Sequence, residues 1–153
     1  MKKLNAGVIG LGVGERHIAG YLSDDRCNVV KICDTNEKKL NEVAKKYIKC
    51  QTSANPEEIL NDPNINIVSI ASYDVSHAYQ VVKAIENGKH VFVEKPICLS
   101  QDEFESIEKA LLKNPSIKLS SNFVLRNSPE FIDLKNNFEK NNFGNLYYLE
   151  GDY

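Results

Sequence analysis

The sequence predicts an α/β protein with a doubly wound parallel sheet, and three observations carry that expectation. Short apolar runs alternate with helical stripes from one end of the chain to the other. The run at 65–71, Ile-Asn-Ile-Val-Ser-Ile-Ala, is apolar enough to be buried on both faces, as strands of parallel sheets are. The first run enters a turn with glycines at 10, 12 and 14, and a helical pattern follows at once. Parallel strands cannot be joined by tight hairpins, so the alternating helices are the crossovers such a sheet requires. In that architecture ligands bind beyond the carboxyl ends of the strands.

Each element has its own signal. Residues 4–9 form the first expected strand. After the glycine turn, Ile18, Ala19 and Leu22 mark the inward face of a helix that Asp24-Asp25-Arg26 closes. Residues 27–33, Cys-Asn-Val-Val-Lys-Ile-Cys, read as the second strand, ending at Asp34. The next helix spans about 36–47, with Leu40, Val43, Ala44 and Tyr47 on one stripe, and 48–52 suggests a short third strand. Asn55-Pro56-Glu57-Glu58 starts a short helix: a capping side chain, proline at the first helical position and acids in the first turn. The fourth strand at 65–71 follows, then a helix at 75–87 with Ala78, Val81, Val82 and Ile85 inward and Gly88 as its C-terminal cap. A fifth strand at 90–93 ends in Glu94-Lys95-Pro96. Ser100 and Glu103 form a capping box for a helix with Phe104, Ile107 and Leu111 inward. A sixth strand is expected at 117–122. Ser128-Pro129-Glu130 starts a last helix with Phe131, Leu134 and Phe138 on one side, and Gly144-Asn145 turns the chain into a strand-like ending at 146–153. The asparagine-rich stretch at 136–145 is the one shift in composition and marks a domain edge.

Bulk properties narrow the function. A chain of 153 residues, 42% hydrophobic and 26% charged, is a soluble globular domain with room for a core. A net charge of −2 gives no electrostatic case for nucleic acid or an anionic membrane. No apolar run approaches the ~20 residues that span a bilayer, and Met-Lys-Lys-Leu-Asn lacks the apolar stretch of a secretory signal. The cysteines at 27, 33, 50 and 98 and the histidines at 17, 77 and 90 lack metal-ligand spacing. No metal site is expected, and the thiols read as buried groups in a reducing cytoplasm.

The glycine turn carries the first functional signal. Glycines let the backbone turn sharply and let a ligand approach it, and the helix start beyond offers free N–H groups and positive dipole character to a phosphate. A strict G-x-G-x-x-G repeat would place its third glycine at 15, where Glu15 stands; here it comes one position early, at Gly14. Asp34 follows at about the 20-residue separation at which a dinucleotide site uses a carboxylate to hold the adenosine ribose. Ser72-Tyr73-Asp74 and Glu94-Lys95-Pro96 stand at two further strand ends. A lysine there would point into the ligand cleft, where it could move a proton or polarise an oxygen.

The run from Ala84 to Pro96, Ala-Ile-Glu-Asn-Gly-Lys-His-Val-Phe-Val-Glu-Lys-Pro, resembles the signature of the Gfo/Idh/MocA oxidoreductases, the glucose–fructose oxidoreductase and inositol dehydrogenase group. So do Gly7-Val-Ile-Gly-Leu-Gly with His17 closing the turn, and Ser121-Asn122-Phe123-Val124-Leu125-Arg126 with Pro129 after it. The resemblance covers the whole chain. It implies a Rossmann NAD(P)-binding domain at 1–122, then a crossover segment and the start of a truncated C-terminal substrate domain at 123–153. It implies that Lys95 is the catalytic lysine, handling the proton of a substrate hydroxyl and lying at the cofactor. Gly10, Gly12, Val13 and Gly14 would cradle the pyrophosphate, and Asp34 would take the ribose. Ser72, Tyr73, His77 and Glu94 would line the remainder of the cofactor site. Ser72-Tyr73-Asp74 replaces the Thr-Pro-Asn common in the family, which leaves backbone contacts as the expectation there.

NAD is the expected cofactor, because Asp34 repels the 2′-phosphate of NADP, with Lys38 and Lys39 near enough to keep NADP open. The implied reaction passes hydride between the nicotinamide and a secondary hydroxyl or ketone of a sugar, nucleotide-sugar or cyclitol. A non-catalytic NAD sensor or scaffold of the same fold is the alternative. The chain reads as a fragment or a truncated product that binds NAD(H) and turns over little by itself. It is expected to self-associate as a homo-oligomer in the cytoplasm, through 146–153 as an unpaired strand.

Overall fold

In the computed structural model, which describes residues 3–151, β1 (Leu4–Ile9) leads through α1 (Gly14–Leu22) to β2 (Cys27–Cys33). There follow α2 (Glu37–Lys46), β3 (Gln51–Ser53), α3 (Glu57–Leu60), β4 (Ile67–Ile70), α4 (Asp74–Glu86), β5 (His90–Val93), α5 (Gln101–Lys113) and β6 (Leu119–Ser121). The six strands make one parallel sheet in the order β3-β2-β1-β4-β5-β6. The chain winds outward from β1 to β3, returns through α3 to β4 beside β1, and winds outward again to β6. This is the doubly wound sheet expected, and its crevice opens between the carboxyl ends of β1 and β4.

Local chemistry sets the element ends. Asn36 caps α2 by accepting the Lys39 N–H at 3.1 Å. Ser100 caps α5 through Glu103 N–H at 3.2 Å, and the Glu103 carboxylate reaches back to Leu99 N–H at 2.6 Å. Gly88 takes φ +71 just past α4, the left-handed cap that favours glycine. Apolar residues pack on both faces of the sheet. Ala6, Val8, Ile18, Ile32, Leu40 and Val43 form the layer under α1 and α2. Ile59, Val68, Ile70, Val81, Ile85, Val93 and Ile107 form the layer under α3, α4 and α5.

Several expectations need correcting. The inward face of α1 is Gly14, Ile18 and Tyr21, while Leu22 is 50% exposed and Ala19 also faces solvent. The first helical turn follows the close contact of Gly14 on the sheet, and this rotates Leu22 outward. The third strand begins at Gln51, because residues 47–50 form a turn that leaves Ile48 83% exposed. Ile107, Ala110 and Leu111 bury α5, and Phe104 is exposed. The fourth and sixth strands are shorter than 65–71 and 117–122. Only Cys33 is buried; Cys27, Cys50 and Cys98 are half-buried free thiols. No helix among the described residues is long and apolar enough to cross a membrane.

The chain divides into two compact units, one up to Asn122 and one from Phe123. The second holds a 3₁₀ turn (Val124–Asn127) and α6 (Pro129–Glu139), which starts on its proline. Arg126 stacks its guanidinium over the Phe123 ring at 4.8 Å, and Phe138 meets Phe143 at 5.8 Å. No residue of α6 is buried, and Phe131, Leu134 and Phe138 are all exposed. Residues 146–151 form no strand, which corrects the expected strand-like ending; 152 and 153 lie outside the described residues. An extended run is completed only by a neighbour that takes its backbone hydrogen bonds, and these residues find none among the described residues.

Candidate functional site

The sheet brings the strand ends to one edge by continuing its ladder one residue past several strands. Gly10 N–H donates to Cys33 O at 2.8 Å, Ala71 N–H to Ile9 O at 2.7 Å, Glu94 N–H to Ile70 O at 2.8 Å and Asn122 N–H to Val93 O at 2.9 Å. The glycine turn, Asp34, Ser72 and Glu94 therefore all project from the carboxyl edge.

The three glycines of the turn do different jobs. Gly10 has φ +84, and a Cβ there would stand 2.2 Å from the Ala71 carbonyl oxygen, so only glycine fits beside β4. At Gly12 a Cβ would meet nothing within 4 Å, which leaves open room against bare backbone. At Gly14 a Cβ would lie 3.0 Å from Val8 Cγ1 and 3.2 Å from Ala71 Cβ. Gly14 thus lets α1 pack close on the sheet, the role of the third glycine in a dinucleotide turn, one position earlier than the strict repeat. The N–H groups of Gly12, Val13, Gly14 and Glu15 have no protein acceptor among the described residues. They face outward at the helix start, where a phosphate is favoured by both hydrogen bonding and the dipole.

A cavity of about 440 Å³ joins this turn to the end of β2. Gly10, Gly12, Val13, Asp34, Ser72 and Tyr73 line it, together with Asn36, Lys39 and Gln80. Asp34 is fixed by two backbone donors: Leu11 N–H to Oδ2 at 2.7 Å and Asn36 N–H to Oδ1 at 2.8 Å. Each carboxylate oxygen keeps a further lone pair, which suits a vicinal pair of sugar hydroxyls. Behind Asp34, burial first and the Asp34 charge second push the Cys33 thiol up to about 12, leaving it neutral and inert. The Ser72 hydroxyl donates to Gln80 Oε1 at 2.7 Å, and Tyr73 lies 81% exposed at the rim. The open space at Gly12, the free N–H groups and the doubly anchored acid fit a dinucleotide.

The other site residues lie outside that cavity. His77 is fully buried, with Nδ1 2.7 Å from Pro96 O and Nε2 3.0 Å from Ser72 O. Its ring ties two strand-end loops together from behind. Lys95 is exposed and ends in a cis peptide to Pro96. Glu94 turns inward: its Oε1 accepts from Asn122 Nδ2 at 2.7 Å and pairs with His17 Nε2 at 3.0 Å. His17 Nδ1 in turn meets the buried Ser69 hydroxyl at 2.8 Å, and its ring stands edge-on to Phe92. A polar chain Ser69–His17–Glu94–Asn122 therefore joins β4, α1, β5 and the end of β6. In the sequence His17 and Asn122 stand out only as parts of motifs. The available signal was that His17 follows Gly14 by one helical turn and so shares its sheet-facing side. Next to the chain, burial pushes the Tyr21 phenol up to about 12.

Comparison with known proteins agrees with this geometry. The family model of GFO_IDH_MocA, described as an oxidoreductase family with an NAD-binding Rossmann fold, matches residues 4–123. The scyllo-inositol 2-dehydrogenase (NAD(+)) of Bacillus subtilis is 28% identical over 151 residues, covering 97% of this chain and 44% of that protein. The myo-inositol 2-dehydrogenase of Thermotoga maritima is 30% identical over 148 residues, covering 95% and 44%. The crystal structure of myo-inositol 2-dehydrogenase from Lactobacillus plantarum superposes with a TM-score of 0.87 at 25% identity, covering 94% of this chain and 43% of that one. The chain spans less than half the length of the curated relatives it matches. With the glycine turn, Asp34 and the Glu94-Lys95-Pro96 strand end in place, the chain belongs to the Gfo/Idh/MocA oxidoreductase family and has its NAD-binding Rossmann fold.

Proposed function

We propose that residues 1–122 are the cofactor-binding domain of an NAD-dependent dehydrogenase acting on a secondary hydroxyl or ketone of a cyclitol or related sugar. The observation that carries this is the cavity at the β1–β4 crevice, where open backbone at Gly12 and a doubly anchored Asp34 face the same space. The inositol dehydrogenases among the relatives support the cyclitol class. When bound, NAD supplies the acceptor for a hydride. The turn from Gly10 to Gly14 would hold the diphosphate, Asp34 the ribose hydroxyls, and Ser72 and Tyr73 the cavity wall. Glu94 and His77 would shape the nicotinamide end through the loops they fix. Lys95, exposed at the end of β5, would move the proton at the substrate hydroxyl.

Residues 123–153 would begin the substrate-holding domain, and turnover would need the further length that the relatives have. Self-association of the whole protein and residence in the cytoplasm complete the reading; the free thiols support the latter. The test is a titration of NADH against the 153-residue chain, followed by nicotinamide fluorescence. Saturable binding is expected, weakened at least about tenfold by Asp34→Ala, since charge-assisted hydrogen bonds to the ribose are lost. Absence of binding by both NADH and NADPH would overturn the reading.

A further inference from the structure

We infer that Glu15 sets the preference for NAD over NADP by holding Lys39 away from the adenosine ribose. The inference rests on the cavity being a dinucleotide site. Lys39, in the first turn of α2, is the cation that lines this cavity beside Asp34 and Asn36. A 2′-phosphate placed against Asp34 meets a like charge and needs a cation to offset it. Lys39 is positioned to be that cation, yet its ammonium is engaged elsewhere. Its Nζ lies 2.9 Å from Glu15 Oε2, while Lys46 Nζ lies 2.8 Å from Glu15 Oε1. Glu42 stands farther off, at 4.0 Å from Lys39 and 3.6 Å from Lys46.

Position 15 can hold an acid because Gly14 already provides the close helix–sheet contact. The Glu15 side chain then reaches from the first turn of α1 across to α2. The two lysines hold its carboxyl below the ordinary glutamate range, Lys39 contributing first. They also offset its charge, so that an acid at a phosphate-binding helix start does not oppose the diphosphate. Asp34 discriminates by repulsion, and Glu15 discriminates by withholding the lysine that lines the cavity beside it.

The test measures the affinities of NADH and NADPH for the 153-residue chain by nicotinamide fluorescence. Wild type is expected to favour NADH. Glu15→Gln frees Lys39 and is expected to move the NADPH:NADH affinity ratio about tenfold toward NADPH, the scale of one charge-assisted hydrogen bond. Lys39→Met added to Glu15→Gln is expected to erase that gain. Equal movement of both affinities, or no movement of the ratio, would overturn the role of Glu15. If Glu15→Gln does not fold, Lys39→Met alone carries the test. A withheld lysine makes no contact to the 2′-phosphate, so the NADPH:NADH affinity ratio is expected to stay within about threefold while any loss at the diphosphate falls on both dinucleotides alike, and a larger fall of the ratio would show Lys39 already at the ligand. Failure of wild type to bind either dinucleotide would instead remove the reading of the cavity on which the inference rests.

Discussion

At the β1–β2 end of the site the groups offered to a ligand belong mostly to the backbone, whereas at the β5 end they are side chains. The turn from Gly10 to Gly14 presents bare N–H groups, and even Asp34 is oriented by two main-chain donors. The β5 end is oriented by side chains from distant elements: His17 from α1 and Asn122 from the end of β6 hold Glu94, and His77 from α4 holds the loop at Pro96. Lys95 alone is left exposed between them. A backbone site tolerates almost no change of shape but asks little of residue identity beyond glycine. A side-chain site tolerates shape changes but depends on which groups are present. The first arrangement suits a ligand fragment that is always the same, and the second suits chemistry.

This comparison can be broken by substitution. The largest effect is expected from Gly10→Ala, where the added methyl meets the Ala71 carbonyl in a left-handed backbone. A loss of about 3 kcal/mol, roughly 10 °C in Tm, together with loss of NADH binding, should appear in thermal unfolding and titration. Gly12→Val is the sharper probe, because the new side chain enters open space. Binding should fall at least about tenfold while Tm stays within about 2 °C; a large loss of Tm would show that this space is part of the packing.

An intermediate effect is expected at the other end. His17→Ala strips a partner from both Ser69 and Glu94 and should cost about 1–3 kcal/mol in denaturant unfolding. Unchanged stability would mean that the polar chain orients nothing. The smallest effect belongs to Lys95→Ala, which should alter NADH affinity by less than about twofold, or ~0.4 kcal/mol. A larger loss would place the lysine in cofactor affinity and blur the contrast between the two ends.

The sequence is informative where one residue type answers a backbone demand. Gly10, Gly88 and Ser100 are readable because a left-handed turn or a helix start admits few residues. Asp34 was readable from its separation from the turn. The sheet followed from alternation, because parallel strands leave no other way to connect. Periodicity misled where a backbone contact outranked side-chain hydropathy: Gly14, which has no side chain, fixes the rotation of α1 and turns Leu22 outward. The strand-like reading of 146–151 fails for another reason, because Leu-Tyr-Tyr-Leu favours a strand but a strand exists only with a neighbour. Glu15 looked like a missing glycine, since its pairing with Lys39 and Lys46 arises only when α1 and α2 lie side by side on the sheet. His17 and Glu94 stand 77 positions apart, and no local pattern joins them.

The buried ring of His77 has a consequence for motion. By contacting the Ser72 and Pro96 carbonyls at once, it links the loop after β4 to the loop after β5. The ring is buried between the two loops, and whichever nitrogen carries its N–H donates to one carbonyl while the ring packs against the other loop, so neither loop lifts off the sheet edge without uncovering it. In native-state hydrogen exchange the amides around Ser72 and those around Pro96 should therefore share one opening free energy, as members of one cooperative unit.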